Sequence, residues 1–170
     1  MKPQLRVMPI KKMLDWVATH ENTHAAVLVA ASYNLDTEKL PHNFVVEMFD
    51  DIDFDCPGRS ITEEQANHYA DFVQDLSDDT EIIICACNAG ESRSAALCAA
   101  LCEYYNIDSA WIWGSPHYHP NMLVFDVFTQ ALGLNIDDAR KDTLIYTNRS
   151  AFTNAIKQAR GDNYVHATET

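Results

Sequence analysis

The chain has 170 residues, 25 of them Asp or Glu against 12 Lys or Arg, for a net charge of −13, and 47% are hydrophobic. That length fits one domain spanning 1–170 with an ordinary apolar core. The charge excludes a surface built to track nucleic acid, and no apolar run approaches the roughly 18 residues of a membrane span.

The start, Met1-Lys2-Pro3-Gln4, is not followed by the apolar stretch of a secretory leader, so a cytoplasmic location is expected. There are five cysteines, Cys56, Cys85, Cys87, Cys98 and Cys102, an odd number that argues against a disulfide framework. Cys98 and Cys102 stand one helical turn apart among Ala and Leu, as buried small hydrophobes would.

In chain order, Ile10–His20 carries apolar residues at helical spacing (Ile10, Met13, Leu14, Val17), with Pro9 at a first helical position. Ala25–Ala31 is a short continuous apolar run and reads as a buried strand. Phe44–Phe49 reads as another strand, followed by the acidic stretch Asp50-Asp51-Ile52-Asp53-Phe54-Asp55 and a Pro57-Gly58 turn. Thr62 with Gln65 three residues on has the spacing of a capping box, and Ala66, Tyr69, Phe72, Val73 and Leu76 make the apolar stripe of the helix it opens. Glu81–Cys87 is an Ile-rich strand, Asn88–Ser92 a turn, and Arg93–Tyr105 an Ala- and Leu-rich helix. A short apolar piece follows at Ala110–Trp113. Two more helices are expected at Asn121–Leu132 and Ser150–Arg160. Strands alternating with helices predict an α/β fold, a central mainly parallel sheet flanked by helices. Ligands of such sheets bind beyond the carboxyl ends of the strands, where the turn after Cys87 lies.

That turn carries the chemistry. It reads Cys87-Asn88-Ala89-Gly90-Glu91-Ser92-Arg93-Ser94. A bare C-x5-R is a weak signal, but here the cysteine ends an apolar strand, a glycine sits inside the loop, and a helix begins at the arginine. A loop between a strand end and a helix N-terminus can aim successive N–H groups at one point and so hold an anion. The same field favours a thiolate. Gly90 permits a backbone turn that a β-carbon obstructs. Arg93 offers a planar fork of donors to two oxyanion oxygens, and Ser94 can hydrogen-bond the sulfur.

This stretch resembles the signature loop of the cysteine-dependent protein-tyrosine and dual-specificity phosphatases, and small bacterial and phage phosphatase-like proteins look closest. The resemblance runs over roughly residues 44–132 and takes in Phe49-Asp50-Asp51-Ile52, the helix Thr62–Leu76 and Pro120-Asn121. It implies a tyrosine-phosphatase-like fold. It also implies hydrolysis of a phosphomonoester through a cysteinyl-phosphate, with a phosphorylated protein (on Tyr, Ser or Thr) or a small phosphate ester as partner, and no cofactor or metal. Carried over residue by residue, Cys87 is the nucleophile and Arg93 the phosphate clamp. Asn88, Ala89, Gly90, Glu91 and Ser92 line the cradle, and Ser94 assists thiolate release. The general acid comes from the acidic loop as Asp51, Asp53 or Asp55, with Asp51 favoured by the match at Phe49–Ile52.

Two departures keep alternatives open. The family's histidine before the cysteine is Ala86 here, and Glu91 puts a carboxylate inside the loop, so a phosphate- or phosphoprotein-binding module with little turnover is the second reading. Arsenate reduction with Cys85 or Cys98 as resolving thiol is the third, ranked lower because Cys85 is expected on the opposite face of its strand from Cys87. The pairs His117/His119 and His20/His24 have chelating spacings but no evident third ligand, so no metal site is expected. Trp111, Trp113 and Tyr118 are expected in the core or at a pocket rim.

Overall fold

In the computed structural model of the chain, residues 2–20, 23–40 and 43–161 are described. The elements are β1 (Gln4–Pro9), α1 (Ile10–Thr19), β2 (Ala25–Ala31), β3 (Phe44–Met48), α2 (Glu63–Gln74), β4 (Ile82–Cys87), α3 (Arg93–Tyr105), α4 (Ala110–Trp113), α5 (Met122–Ala131) and α6 (Asp138–Ala159). The strands form a parallel sheet in the order β1-β4-β2-β3. The expected α/β architecture is therefore what the chain adopts.

β2 is buried at all seven positions. A strand covered on both faces needs apolar side chains in both directions, which is why Ala25–Ala31 does not alternate. On one face Val27, Val29 and Ala31 of β2 and Ile84 and Ala86 of β4 pack on Ile10, Met13 and Val17 of α1. On the other, Ala26, Leu28 and Ala30 join Ile83, Cys85 and Cys87 beneath α2, α3 and α5. Cys85 and Cys87 thus share a face, correcting the sequence expectation. Side chains two apart on a strand point the same way.

α3 lies at the centre of the larger layer, and every residue from Arg93 to Cys102 is buried. A helix apolar all round is one enclosed all round. It ends at Asn106 in the left-handed conformation (φ 51°), a common stop signal. α2 opens with the capping box read from sequence. Thr62 accepts from the Gln65 N–H, and the Gln65 side chain accepts from the Thr62 N–H. The Tyr69 hydroxyl then donates to the Val29 carbonyl at 2.6 Å, locking α2 to β2.

Two elements differ from the sequence expectation, and a third, given no type there, acquires one. β1 is not among the expected strands, although Gln4-Leu5-Arg6-Val7 alternates polar and apolar residues. It is an edge strand whose pairing with β4 fixes it, and Pro9 is its last residue and the N-cap of α1. The piece Ala110–Trp113 is a short helix. The last helix begins at Asp138, well before Ser150, with the Asp137 side chain capping it by accepting from the Arg140 N–H. Its first half is polar and shows no apolar stripe. Ion pairs Arg140–Glu103 and Lys141–Asp126 dock it on α3 and α5. Among the described residues, no helix is long and apolar enough to cross a membrane.

Candidate active site

Cys87 ends β4 and Arg93 begins α3, so the loop between them sits at the carboxyl edge of the sheet, as its strand–turn–helix sequence predicts. Gly90 shapes the loop. It has φ +73°, and a β-carbon there would lie 2.3 Å from the Pro9 nitrogen and 2.6 Å from the Met8 carbonyl carbon. The loop therefore closes against the end of β1 at a distance that only glycine allows.

The loop surrounds the Cys87 sulfur with donors. The Ser94 hydroxyl lies 3.0 Å from Sγ. Burial alone raises the Cys87 pKa, but the Ser94 hydroxyl and the backbone N–H groups of Ser94, Glu91 and Gly90 outweigh it and hold the thiol below its ordinary value. This happens without a histidine before the cysteine. Ala86 points to the other side of the sheet, fully buried among Met8, Ile10, Met13 and Val29.

Arg93 is 4% exposed. Its NH1 donates to the Phe49 carbonyl at 2.6 Å and to the Ser32 hydroxyl at 2.8 Å, while its buried Nε has no hydrogen-bond partner. A buried donor without an acceptor is rare and costly. A guanidinium at a helix N-terminus also opposes the helix dipole. Both features are relieved when an anion occupies the loop. Asn88 faces β2, its side-chain oxygen accepting from the Ser32 N–H at 3.3 Å.

Of the acidic residues, Asp51 reaches the loop. Its Oδ1 accepts from the Ser92 hydroxyl and from the Asn121 side-chain amide, both at 2.8 Å. Asp50 turns instead to Arg59, with Nε to Oδ2 at 2.8 Å. Asp53 lines the same cleft as Asp51, and Asp55 is exposed and does not line it.

The sequence reading did not single out Asn121 as a site residue. It is 4% exposed, caps α5 by accepting from the Val124 N–H at 3.1 Å, and donates to Asp51 and to the Ile52 carbonyl. Its one visible signal was the Pro-Asn that opens a helix. The segment before it is tied to the loop by His119 N–H to the Glu91 carbonyl at 3.0 Å. Asn148 of α6 holds that segment from outside, its amide nitrogen donating to the carbonyls of Trp113 (3.2 Å), Ser115 (3.4 Å) and Tyr118 (2.8 Å). Beside Ser92 and Asp51 opens a cleft of about 440 Å³, whose other side is α6.

Of the remaining described histidines, His119 lines the cleft, and the others pack outside it. His24 pairs with Asp79, His20 stacks on Trp16, and His117 and His119 pack edge-on against Tyr118 and Phe152. Trp113 is buried and meets Phe125 edge-on, whereas Trp111 is 41% exposed. Cys98 and Cys102 are buried neighbours on α3. Burial pushes the Cys98 thiol far up, and the hydrogen bond that Cys102 donates to Cys98, then burial, does the same to Cys102.

The fold and loop together define an α/β protein with a cysteine and an arginine facing an anion cradle at a strand–helix junction. No family model and no curated protein matches the chain. Among solved structures it is similar to PTPMT1 in complex with PI(5)P, at 17% identity over 76% of this chain and 90% of that one, with a TM-score of 0.49. A second PTPMT1 structure aligns at 15% identity over 91% of this chain and 95% of that one, with a TM-score of 0.38.

Proposed function

We propose that the protein is a phosphomonoester hydrolase that works through a cysteinyl-phosphate. The observation that carries this reading is the pairing of a thiol held toward its ionised form with a buried Arg93 whose Nε lacks an acceptor. A phosphoryl group above Cys87 supplies that acceptor, and the loop N–H groups meet its other oxygens.

In the first step the Cys87 thiolate attacks phosphorus, the ester P–O bond breaks, and Asp51 gives its proton to the departing alcohol oxygen. Both hydrogen bonds to Asp51 fall on Oδ1, so the proton to be given sits on Oδ2. In the second step water attacks phosphorus and gives a proton to Asp51. The S–P bond breaks, and the Ser94 hydroxyl donates to the returning thiolate. Phosphorylated Tyr, Ser or Thr of a protein and small phosphate esters both present the required monoester.

The test is para-nitrophenyl phosphate hydrolysis with chelator and reductant present, for wild type, Cys87→Ser, Asp51→Asn and Asp53→Asn. Cys87→Ser is expected to lose turnover by about 10³-fold or more and Asp51→Asn by about 10²-fold, with Asp53→Asn near wild type. Equal turnover by Cys87→Ser and wild type would remove the cysteine mechanism. The second reading, a phosphate-binding module, is favoured by Glu91 within the loop. It predicts oxyanion binding by wild type with turnover at background.

A further inference from the structure

We infer that the cleft beside Asp51 receives the alcohol portion of the substrate, and that Arg149 selects alcohols carrying a second oxyanion, a carboxylate or another phosphate. This rests on the phosphatase reading and names its substrate class.

The position of the acid directs the alcohol into the cleft. Asp51 and Ser92 form one wall of the cleft, with Cys87 and Arg93 outside its lining, so an alcohol whose oxygen meets Asp51 borders the cleft. The volume, about 440 Å³, is that of a small-molecule site. Met122 and Ile145 give it apolar surface for a short carbon skeleton, and Arg149 stands on the α6 side.

Of the cations on α6, Arg149 is the one that lines the cleft, and like Lys157 it is unpaired among the described residues, whereas two others are paired. Arg140 and Lys141 are each paired with a carboxylate of the core helices. Arg149 is exposed and has no ion-pair or hydrogen-bond partner among the described residues, in a chain whose acidic residues outnumber its basic ones by 25 to 12. Its neighbour Asn148 is fixed by three carbonyls of the segment below, so this turn of α6 has a set position over the cleft. A guanidinium lining a cleft, with its fork unused, matches a carboxylate or phosphate in two-point geometry. Asp53 on the acid-loop side disfavours a second anion there, which leaves the α6 side for it.

The experiment measures kcat/KM for short alkyl phosphates of graded chain length ending in methyl, carboxylate or a second phosphate. The proteins are wild type, Arg149→Gln, Arg149→Lys and Lys157→Gln, the last on the same helix but off the cleft. For wild type, one chain length is expected to favour an anionic end over methyl by about tenfold, chiefly through KM, and which anion wins separates carboxylate from phosphate. Arg149→Gln is expected to bring that ratio to about one, Arg149→Lys to keep part of it, and Lys157→Gln to keep it all. Equal turnover of methyl- and anion-ended esters at every length overturns the inference and leaves the phosphatase reading standing, as does a preference that survives Arg149→Gln. Turnover of none of the esters, with none of para-nitrophenyl phosphate, takes down both.

Discussion

Cys87 and Cys98 belong to the same strand–loop–helix unit, both are buried, and their thiols are driven in opposite directions. Cys98 sits inside α3 among Ala and Leu side chains, and its desolvation is opposed by Cys102 alone, while Cys85 adds to it. Cys87 suffers the same desolvation, but it lies before the first turn of that helix, where N–H groups have no intrahelical acceptor. The loop turns those free donors onto its sulfur. The opposite directions therefore come from position relative to the helix end, since burial by itself raises a thiol's pKa.

The strongest way to break this contrast is to open the loop. Gly90→Ala places a β-carbon on the backbone of Met8 and Pro9 at a positive φ. It is expected to cost about 2–5 kcal/mol of stability in urea denaturation and, in the protein that still folds, about 10²-fold in turnover as the donors leave the sulfur. Wild-type turnover by this variant would show that the donors around Cys87 need no glycine.

Ser94→Ala removes one donor and leaves the fold. Cys87 is then expected to ionise at higher pH, moving both the acid limb of kcat/KM and its site-resolved alkylation profile upward, with turnover about tenfold lower. The sign of the linkage follows from the depressed folded-state value. Ionisation of Cys87 adds stability above the unfolded thiol's pKa, about 8.5, and that contribution is lost as pH falls through the folded value. Ser94→Ala should flatten this dependence, which denaturation at a series of pH values reads directly.

Placing a histidine before Cys87 tests whether the loop donors suffice by themselves. Position 86 faces α1 and is fully buried among apolar side chains. Ala86→His is expected to destabilise by about 1–3 kcal/mol through overpacking, with no gain in turnover. A gain would mean that the loop donors alone leave the thiol short of its best value. The smallest effect falls on the inert partner. Cys98→Ala is expected to cost about 1 kcal/mol and leave turnover and its pH profile in place, measured by denaturation and the same assay. A shifted profile would mean that the two thiols communicate through α3.

Read from residues alone, the chain showed the buried strand Ala25–Ala31, the capping box at Thr62 and the whole unit from Ile82 to Tyr105. These are local signals: an apolar run, a side chain meeting its own backbone three residues on, a glycine between a strand and a helix. The α/β class and the loop Cys87–Ser94 followed from them. Strand β1 did not: its polar–apolar alternation is confined to Gln4–Val7, and pairing with residues far along the chain holds it. The first half of α6 did not, because ion pairs and one buried side chain, Leu144, hold it rather than an apolar stripe. Which aspartate meets the loop was also beyond sequence. Asp50, Asp51, Asp53 and Asp55 are chemically alike, and contacts with Ser92 and Asn121 bring Asp51 to it. Chain neighbours determine chemistry that fits within a single turn. A cleft walled by residues 51, 92, 122 and 149 exists only once the sheet, α3, α5 and α6 have packed, since packing alone brings such distant positions together.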